Sequence, residues 1–167
     1  MTKYGQAHQE HFFEPIYNEE SKILILGTFP SIKSRENQFY YGHPQNRFWK
    51  VLAILFAQEP LITKEEKKEF LLRHRIAIWD VIASCDITGS SDSSIKNVVP
   101  TDLSIILEKA KIEKIYANGA TAAKLFQKYQ MPLVKREIIV LPSTSPANAA
   151  YSLEKLLECW KICKDAL

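Results

Sequence analysis

The stretch LILGTFPSIKSRENQFYYGHPQNRFWKVL, Leu24 to Leu52, decides how this chain folds. With Lys22 and Ile23 before it, it opens as the apolar run KILILG, closed by Gly27. A short unbroken apolar run ending in glycine is the pattern of a strand buried on both faces. The chain then passes Pro30, a basic polar segment, and three successive aromatics, Phe39, Tyr40 and Tyr41. Beyond His43-Pro44 it enters a helix expected over Gln45–Ala57, with Phe48, Trp49, Leu52, Leu55 and Phe56 on one face. Aromatics just past the end of the most apolar strand suit two uses, core packing or a platform for a flat ligand such as a nucleobase.

Outward from that stretch the pattern repeats. Thr63 followed by Glu66 is a capping box, which starts a helix running to about His74. Ile76–Val81 reads as a second strand, Ser84–Val99 as a polar loop, and Thr101 or Asp102 as the cap of a helix to about Lys111. Lys114–Ala117 is a third strand, turned by Asn118-Gly119 into helix Thr121–Tyr129. Ile138–Leu141 is a fourth strand, Pro142–Asn148 a loop, and Ala149–Ala166 the closing helix. Short apolar strands alternating with helices predict one α/β domain over residues 1–167: a three-layer α/β/α sandwich around a central, mostly parallel four-stranded sheet. Ligands of such sheets sit beyond the carboxyl ends of the strands. Thr28–Asn46, Ser84–Asn97 and Pro142–Asn148 all follow strand ends and are expected to meet there.

Composition bounds the function. The 167 residues are 46% hydrophobic and 25% charged, ordinary for a globular domain. No apolar run reaches the roughly 18 residues of a membrane span. The start, MTKYGQAHQEHFF, has no apolar signal core, so a cytoplasmic monomer is expected. Cys85, Cys159 and Cys163 are odd in number and form no CxxC, which predicts reduced thiols. No His/Asp/Glu set has metal-ligand spacing, and neither a metal nor a cofactor is expected. The phosphate-loop pattern GxxxxGK[ST], the dinucleotide pattern GxGxxG and the nucleophile elbow GxSxG are all absent. The net charge of +3 is compatible with nucleic acid without demanding it.

Two strand-end turns and one aromatic segment carry candidate chemistry. In PSTSPAN, Pro142–Asn148, prolines fix the backbone while hydroxyls and N–H groups suit a phosphate. The same loop also offers Ser145 or Asn148 as a cap for the last helix. Gly27 admits close approach by a ligand or by chain. Lys33, Arg35, Arg47 and Lys50 interleave with Phe39, Tyr40 and Tyr41, a mixture in which cations hold a phosphate backbone and aromatics stack bases. Asn46 is either an N-cap or a polar group aimed into the cleft. Phe48 and Trp49 belong to the core.

The order ILGTFPS, YYGHPQNRFWKVL and LPSTSPAN resembles the uracil-DNA glycosylase superfamily. Where its mismatch-specific branch carries a catalytic asparagine before the motif proline, this chain has Phe29, which cannot orient water. That replacement, with Trp79-Asp80-Val81, the segment from Gly89 to Ile95, and Asn118-Gly119 in the same order, is similar to the hypoxanthine-DNA (deoxyinosine) glycosylases. The resemblance implies a monofunctional, cofactor-free glycosylase that flips a deaminated base out of DNA and hydrolyses it, leaving an abasic site. It implies a catalytic role for Asn46, in orienting water or in stabilising the leaving base. Gly27, Thr28, Phe29 and Tyr41 would contact the base, with Tyr41 stacking on it. Pro30, Ser31, Pro142, Ser143 and Ser145 would hold the DNA backbone. With no general base in the first motif, Asp92 in the facing loop is either a supporting group in the chemistry or an exposed turn residue. Leu141 stands where other branches have histidine or asparagine. The alternatives are a uracil or mismatch glycosylase, a non-catalytic nucleic-acid-binding module on the same fold, and, third, a small-molecule α/β enzyme.

Overall fold

The computed structural model describes residues 7–10, 13–29, 39–88 and 94–167. The strands are β1 (Ala7–Glu10), β2 (Ile23–Gly27), β3 (Ile76–Asp80), β4 (Ile82–Ile87), β5 (Lys96–Pro100), β6 (Lys114–Asn118) and β7 (Ile139–Leu141). The helices are α1 (Phe48–Leu55), α2 (Lys64–Arg73), α3 (Ser104–Leu107), α4 (Ala120–Leu125), α5 (Met131–Val134) and α6 (Leu153–Asp165), with a π turn at Phe126–Gln130 between α4 and α5. The central sheet has the order β3-β2-β6-β7, and all three pairings are parallel. It is the four-stranded sheet the apolar runs predict.

Strand β2 is buried along its whole length. Side chains alternate across a strand, so its residues divide between two cores. Ile23 and Ile25 join Phe48, Leu52, Phe70, Leu156 and Trp160 under α1, α2 and α6. Leu24 and Leu26 join Leu103, Ile106 and Phe126 on the other face. That second core also contains Ile82, Cys85 and Ile87 of β4.

Strands β4 and β5 correct the sequence reading, which expects a polar loop over Ser84–Val99. With β1 they form an antiparallel three-stranded sheet of order β1-β4-β5. In β4, Ile82, Cys85 and Ile87 are buried while Ala83, Ser84 and Asp86 keep some exposure, with register shifts in the β4–β5 ladder. A strand with one wet side carries small and polar residues and does not read as an apolar run. The closing helix also starts later than expected. Ser152, and neither Ser145 nor Asn148, caps it by accepting from Lys155 N–H at 3.2 Å. The carbonyls of Asn148 and Tyr151, which a longer helix would use internally, are taken by the Arg47 guanidinium. Asp102 accepts from the Ser104 N–H ahead of α3, while Thr101 turns inward, donating its hydroxyl to the Asp80 carbonyl at 2.7 Å. Helix α3 itself is a single turn, not the helix to Lys111 that the sequence suggests.

The capping box forms as predicted: Thr63 Oγ1 accepts from Glu66 N–H at 3.0 Å, and the Glu66 carboxylate accepts from the N–H groups of Ile62 and Thr63. Those bonds, Ile62 first, hold the Glu66 carboxyl below its ordinary range. A carboxylate with a depressed folded pKa adds stability above its unfolded pKa and loses it as pH falls through the folded value. Glu66→Ala is therefore expected to lower the melting temperature at neutral pH, with the gap to the parent closing in acid; parallel thermal melts across pH check it.

Candidate active site

The sheet register brings the polar strand ends into one row. Gly27 of β2 pairs with Asp80 of β3. Leu26 pairs with Ala117, which sets Gly27 beside Asn118 of β6, and Asn118 pairs with Leu141 of β7. The row across the carboxyl edge is thus Asp80, Gly27, Asn118, Leu141. Asp80 and Asn118 are buried, and so is Leu141, whose side chain lies in the core.

The space that glycine leaves at position 27 is taken by the protein's own groups. A Cβ there would lie 2.4 Å from Asp80 Oδ1 and 2.9 Å from the Tyr41 hydroxyl. Tyr41 reaches this point from a left-handed backbone, φ 53°, which is uncommon for a bulky residue. Its ring stacks on Phe48 with centroids 4.0 Å apart, and part of the residue stays exposed. Burial first, and then the Asp80 carboxylate, push the Tyr41 hydroxyl far above the usual tyrosine range, against a smaller opposing effect of the nearby Asn118 side chain. Among the described residues the hydroxyl makes no hydrogen bond of normal geometry. The other two aromatics pack: Phe39 stacks on Trp49, and Tyr40 is clamped by donating to the Glu14 carbonyl at 2.7 Å and accepting, at its own carbonyl, from Trp49 Nε1 at 3.0 Å.

Asn46 sits just ahead of α1, and its amide oxygen ties that helix to the last-strand loop. Its Oδ1 accepts from Phe48 N–H at 2.9 Å, bracing the turn that leads into α1, whose N-cap position is Arg47. The same atom accepts from the Thr144 hydroxyl at 2.9 Å. Thr144 is fully buried and is in turn held by Asn118 twice: its N–H donates to Asn118 Oδ1 at 3.0 Å, and Asn118 Nδ2 donates to its Oγ1 at 3.0 Å. Arg47 N–H donates to the Thr144 carbonyl at 3.1 Å. The Arg47 guanidinium donates to the carbonyls of Tyr151, Asn148 and Ser145. It organises the last loop from within, a different job from the free phosphate contact expected of it.

The Pro142–Asn148 loop is built on its own bonds. Ser143 Oγ accepts from Ser145 N–H and Ser145 Oγ from Ala147 N–H, both at 3.1 Å. Asn148 Nδ2 donates to the Ser143 carbonyl, and buried Trp160 donates its Nε1–H to the Pro142 carbonyl. Backbone N–H groups at Thr144, Ser145, Ala147 and Asn148 are therefore occupied. Each serine hydroxyl still has its own proton to donate, since a hydroxyl accepts and donates at once. Gly119, at φ +100°, lies against Ser143, and a Cβ there would come within 3.1 Å of the serine Cβ.

The structure thus brings Asn46, Tyr41, Gly27, Pro142, Ser143 and Ser145 around one strand edge, with Thr28 half-buried beside them. Phe29 is half-buried and packs against the core on the α3 side. Pro30 and Ser31 lie outside the described residues, as do Lys33, Arg35 and Asp92. His43 is a turn residue whose Nδ1 accepts from Gln45 N–H. Sequence reasoning misses Asp80, Asn118 and Thr144 as site residues. Their signal is a polar residue ending an apolar strand or lying in the last strand-end loop. Among the described residues no cluster of three or more His, Cys, Asp or Glu side chains gathers as metal ligands would, and no helix is long and apolar enough to cross a membrane.

A three-layer α/β/α core with its polar row on one sheet edge, flanked by an aromatic-rich motif and a Pro-Ser loop after the last strand, defines the class. The sequence profile described as the Uracil DNA glycosylase superfamily matches residues 14–165, and the chain belongs to that superfamily. It is 37% identical over 145 residues to a protein of Methanosarcina acetivorans named hypoxanthine DNA glycosylase, covering 84% of this chain and 89% of that one. A protein of Methanosarcina barkeri with the same name is 31% identical over 141 residues, 81% and 86% of the two chains. The solution NMR structure of a Methanosarcina acetivorans protein, described as a candidate uracil DNA glycosylase, superposes with a TM-score of 0.76 at 30% identity, over 93% of this chain and 98% of that one.

Gly27→Ala is expected to destabilise the protein by about 1–3 kcal/mol, because a methyl in a filled space forces its neighbours apart. Combining it with Tyr41→Phe should recover part of the loss, since that removes one of the two atoms in the way. Urea denaturation of the single and double variants measures the coupling.

Proposed function

We infer that this protein is a monofunctional DNA N-glycosylase that flips a deaminated base, hypoxanthine foremost, out of DNA and hydrolyses its bond to the sugar. The observation that carries the reading is the pairing of a hydrocarbon side chain, Phe29, in the first motif with a hydrogen-bonded Asn46 held against the last-strand loop. Membership of the superfamily and likeness to two proteins named hypoxanthine DNA glycosylase support it.

In this reading DNA is the partner and no cofactor takes part. A base inside a duplex is out of reach, and extruding it costs a few kcal/mol, least where pairing is already weak. The ring of Tyr41, braced from behind by Phe48, is the platform for the extruded purine. Gly27 and Thr28 border the base. Pro142 shapes the loop, and the hydroxyls of Ser143 and Ser145 donate to phosphates either side of the lesion. Asn46 is the catalytic residue. With phosphate contacts dominating, affinity falls as salt rises.

The test is a glycosylase assay on labelled duplexes carrying hypoxanthine, uracil, xanthine or a thymine mispair, with abasic product read by alkaline cleavage. Hypoxanthine is expected to be released, and Asn46→Ala to slow release by about 100-fold or more, the usual loss on removing one positioned hydrogen-bonding group. Cutting at uracil alone would move the protein to a neighbouring branch. DNA bound with no base released would leave a binding module.

A further inference from the structure

We infer that Asn46 presents its amide N–H groups, and not its carbonyl oxygen, to the substrate, and that Asn118 and Thr144 are the positioning residues that hold it in that sense. This rests on the glycosylase reading and resolves which of two roles Asn46 plays within it.

Two backbone N–H groups, which can only donate, set the sense of both amides. Phe48 N–H lies 2.9 Å from one terminal atom of the Asn46 amide, so that atom is the oxygen. Thr144 N–H lies 3.0 Å from one terminal atom of Asn118, so that atom too is the oxygen. Rotating either amide would set N–H against N–H. The Asn118 NH₂ must then face Thr144 Oγ1, where it donates at 3.0 Å. With its oxygen accepting from Asn118, the single Thr144 hydroxyl proton goes to Asn46 Oδ1 at 2.9 Å. The order of donors is fixed from both ends: Asn118 to Thr144, Thr144 to Asn46, Phe48 to Asn46.

Asn46 Oδ1 now accepts twice, which fills its lone pairs. It has no acceptor left with which to take a proton from attacking water. Its Nδ2 carries two donors, none of which is used in the hydrogen bonds seen among the described residues, and the residue is half-buried. A pure donor suits the other partner of the reaction. As the bond from the sugar C1′ to the base nitrogen breaks, its electron pair leaves with the base, and negative charge spreads over the ring nitrogens and carbonyl oxygen. Water oxygen then bonds to C1′, and the water proton passes to the departing base or to solvent. An N–H aimed at the departing base gains strength as that charge develops, which is how a fixed donor lowers a barrier. The ligand this requires is a base that offers an acceptor on the Asn46 side, as the O6 and N7 of hypoxanthine do.

Asn46→Asp separates the two roles, because a carboxylate keeps the acceptor and loses both N–H groups. Single-turnover release of hypoxanthine is expected to fall as far as in Asn46→Ala, about 100-fold or more, with no recovery as pH rises. An Asn46→Asp variant that retains activity and gains it as the new carboxylate ionises would overturn the inference in favour of water activation. Thr144→Val is expected to slow the chemical step about tenfold, the scale of one lost hydrogen bond, at unchanged half-saturating DNA concentration, with Thr144→Ser recovering it. Equal loss of DNA affinity and rate in the Val and Ser variants would reduce Thr144 to a structural residue and overturn its part.

A readout independent of turnover uses duplex carrying 2′-fluorinated deoxyinosine, which resists hydrolysis. The Asn46 side-chain NH₂ resonances, assigned by their loss in Asn46→Asp, are expected to move downfield when this duplex binds. Bound duplex with those resonances unmoved overturns the inference. If the wild-type chain releases no base from any substrate, the glycosylase reading fails, and the NH₂ shift still judges this inference separately.

Discussion

At the carboxyl end of β6 one buried amide grips one buried threonine from two sides, and the geometry of the site hangs from that grip. Each such bond contributes only about 1 kcal/mol net, yet leaving either partner unmatched in the interior costs about 1–3 kcal/mol, so the pair defines a single arrangement rather than a deep well. Through Thr144 the last-strand loop is pinned to the sheet, and through the Thr144 hydroxyl and carbonyl it is pinned to Asn46 and Arg47 at the head of α1. Helix α1 then carries Phe48 under Tyr41, and Tyr41 fills the gap above Gly27. Asn46, Tyr41 and the Pro142–Asn148 loop are thus one connected body.

Much of the scaffold is legible because it is written locally. Ile23–Gly27, Ile76–Asp80, Lys114–Asn118 and Ile139–Leu141 are short apolar runs, and Thr63 with Glu66 is a self-contained cap. The second sheet is not, since β4 interleaves its inward Ile82, Cys85 and Ile87 with the wetter Ala83, Ser84 and Asp86 and pairs with a strand near the chain start. Of the site, Asn46, Tyr41 and the Pro142–Asn148 loop stand out through residue type and resemblance. Thr144 does not, because its importance lies in two partners, one 26 and the other 98 positions away. Arg47 reads as a surface cation for the same reason, when its acceptors lie about a hundred residues downstream. Gly27 is the point of close approach that its residue type suggests, but it is the protein's own carboxylate and phenol that approach.

The bonding of Arg47 has an electrical side. Its guanidinium is met by backbone carbonyls, which are dipoles, and among the described residues no carboxylate pairs with it. Carbonyl oxygens solvate a cation without cancelling it. One full positive charge is therefore bonded into the loop that carries Ser143 and Ser145, on a half-buried side chain held by three carbonyls. A lysine or arginine on the surface follows its counter-ion, whereas this charge acts as a stationary source of potential, shielded by salt less than an exposed one would be. On the proposed function, the uncharged Ser143 and Ser145 would meet the DNA polyanion with that charge bonded into their own loop.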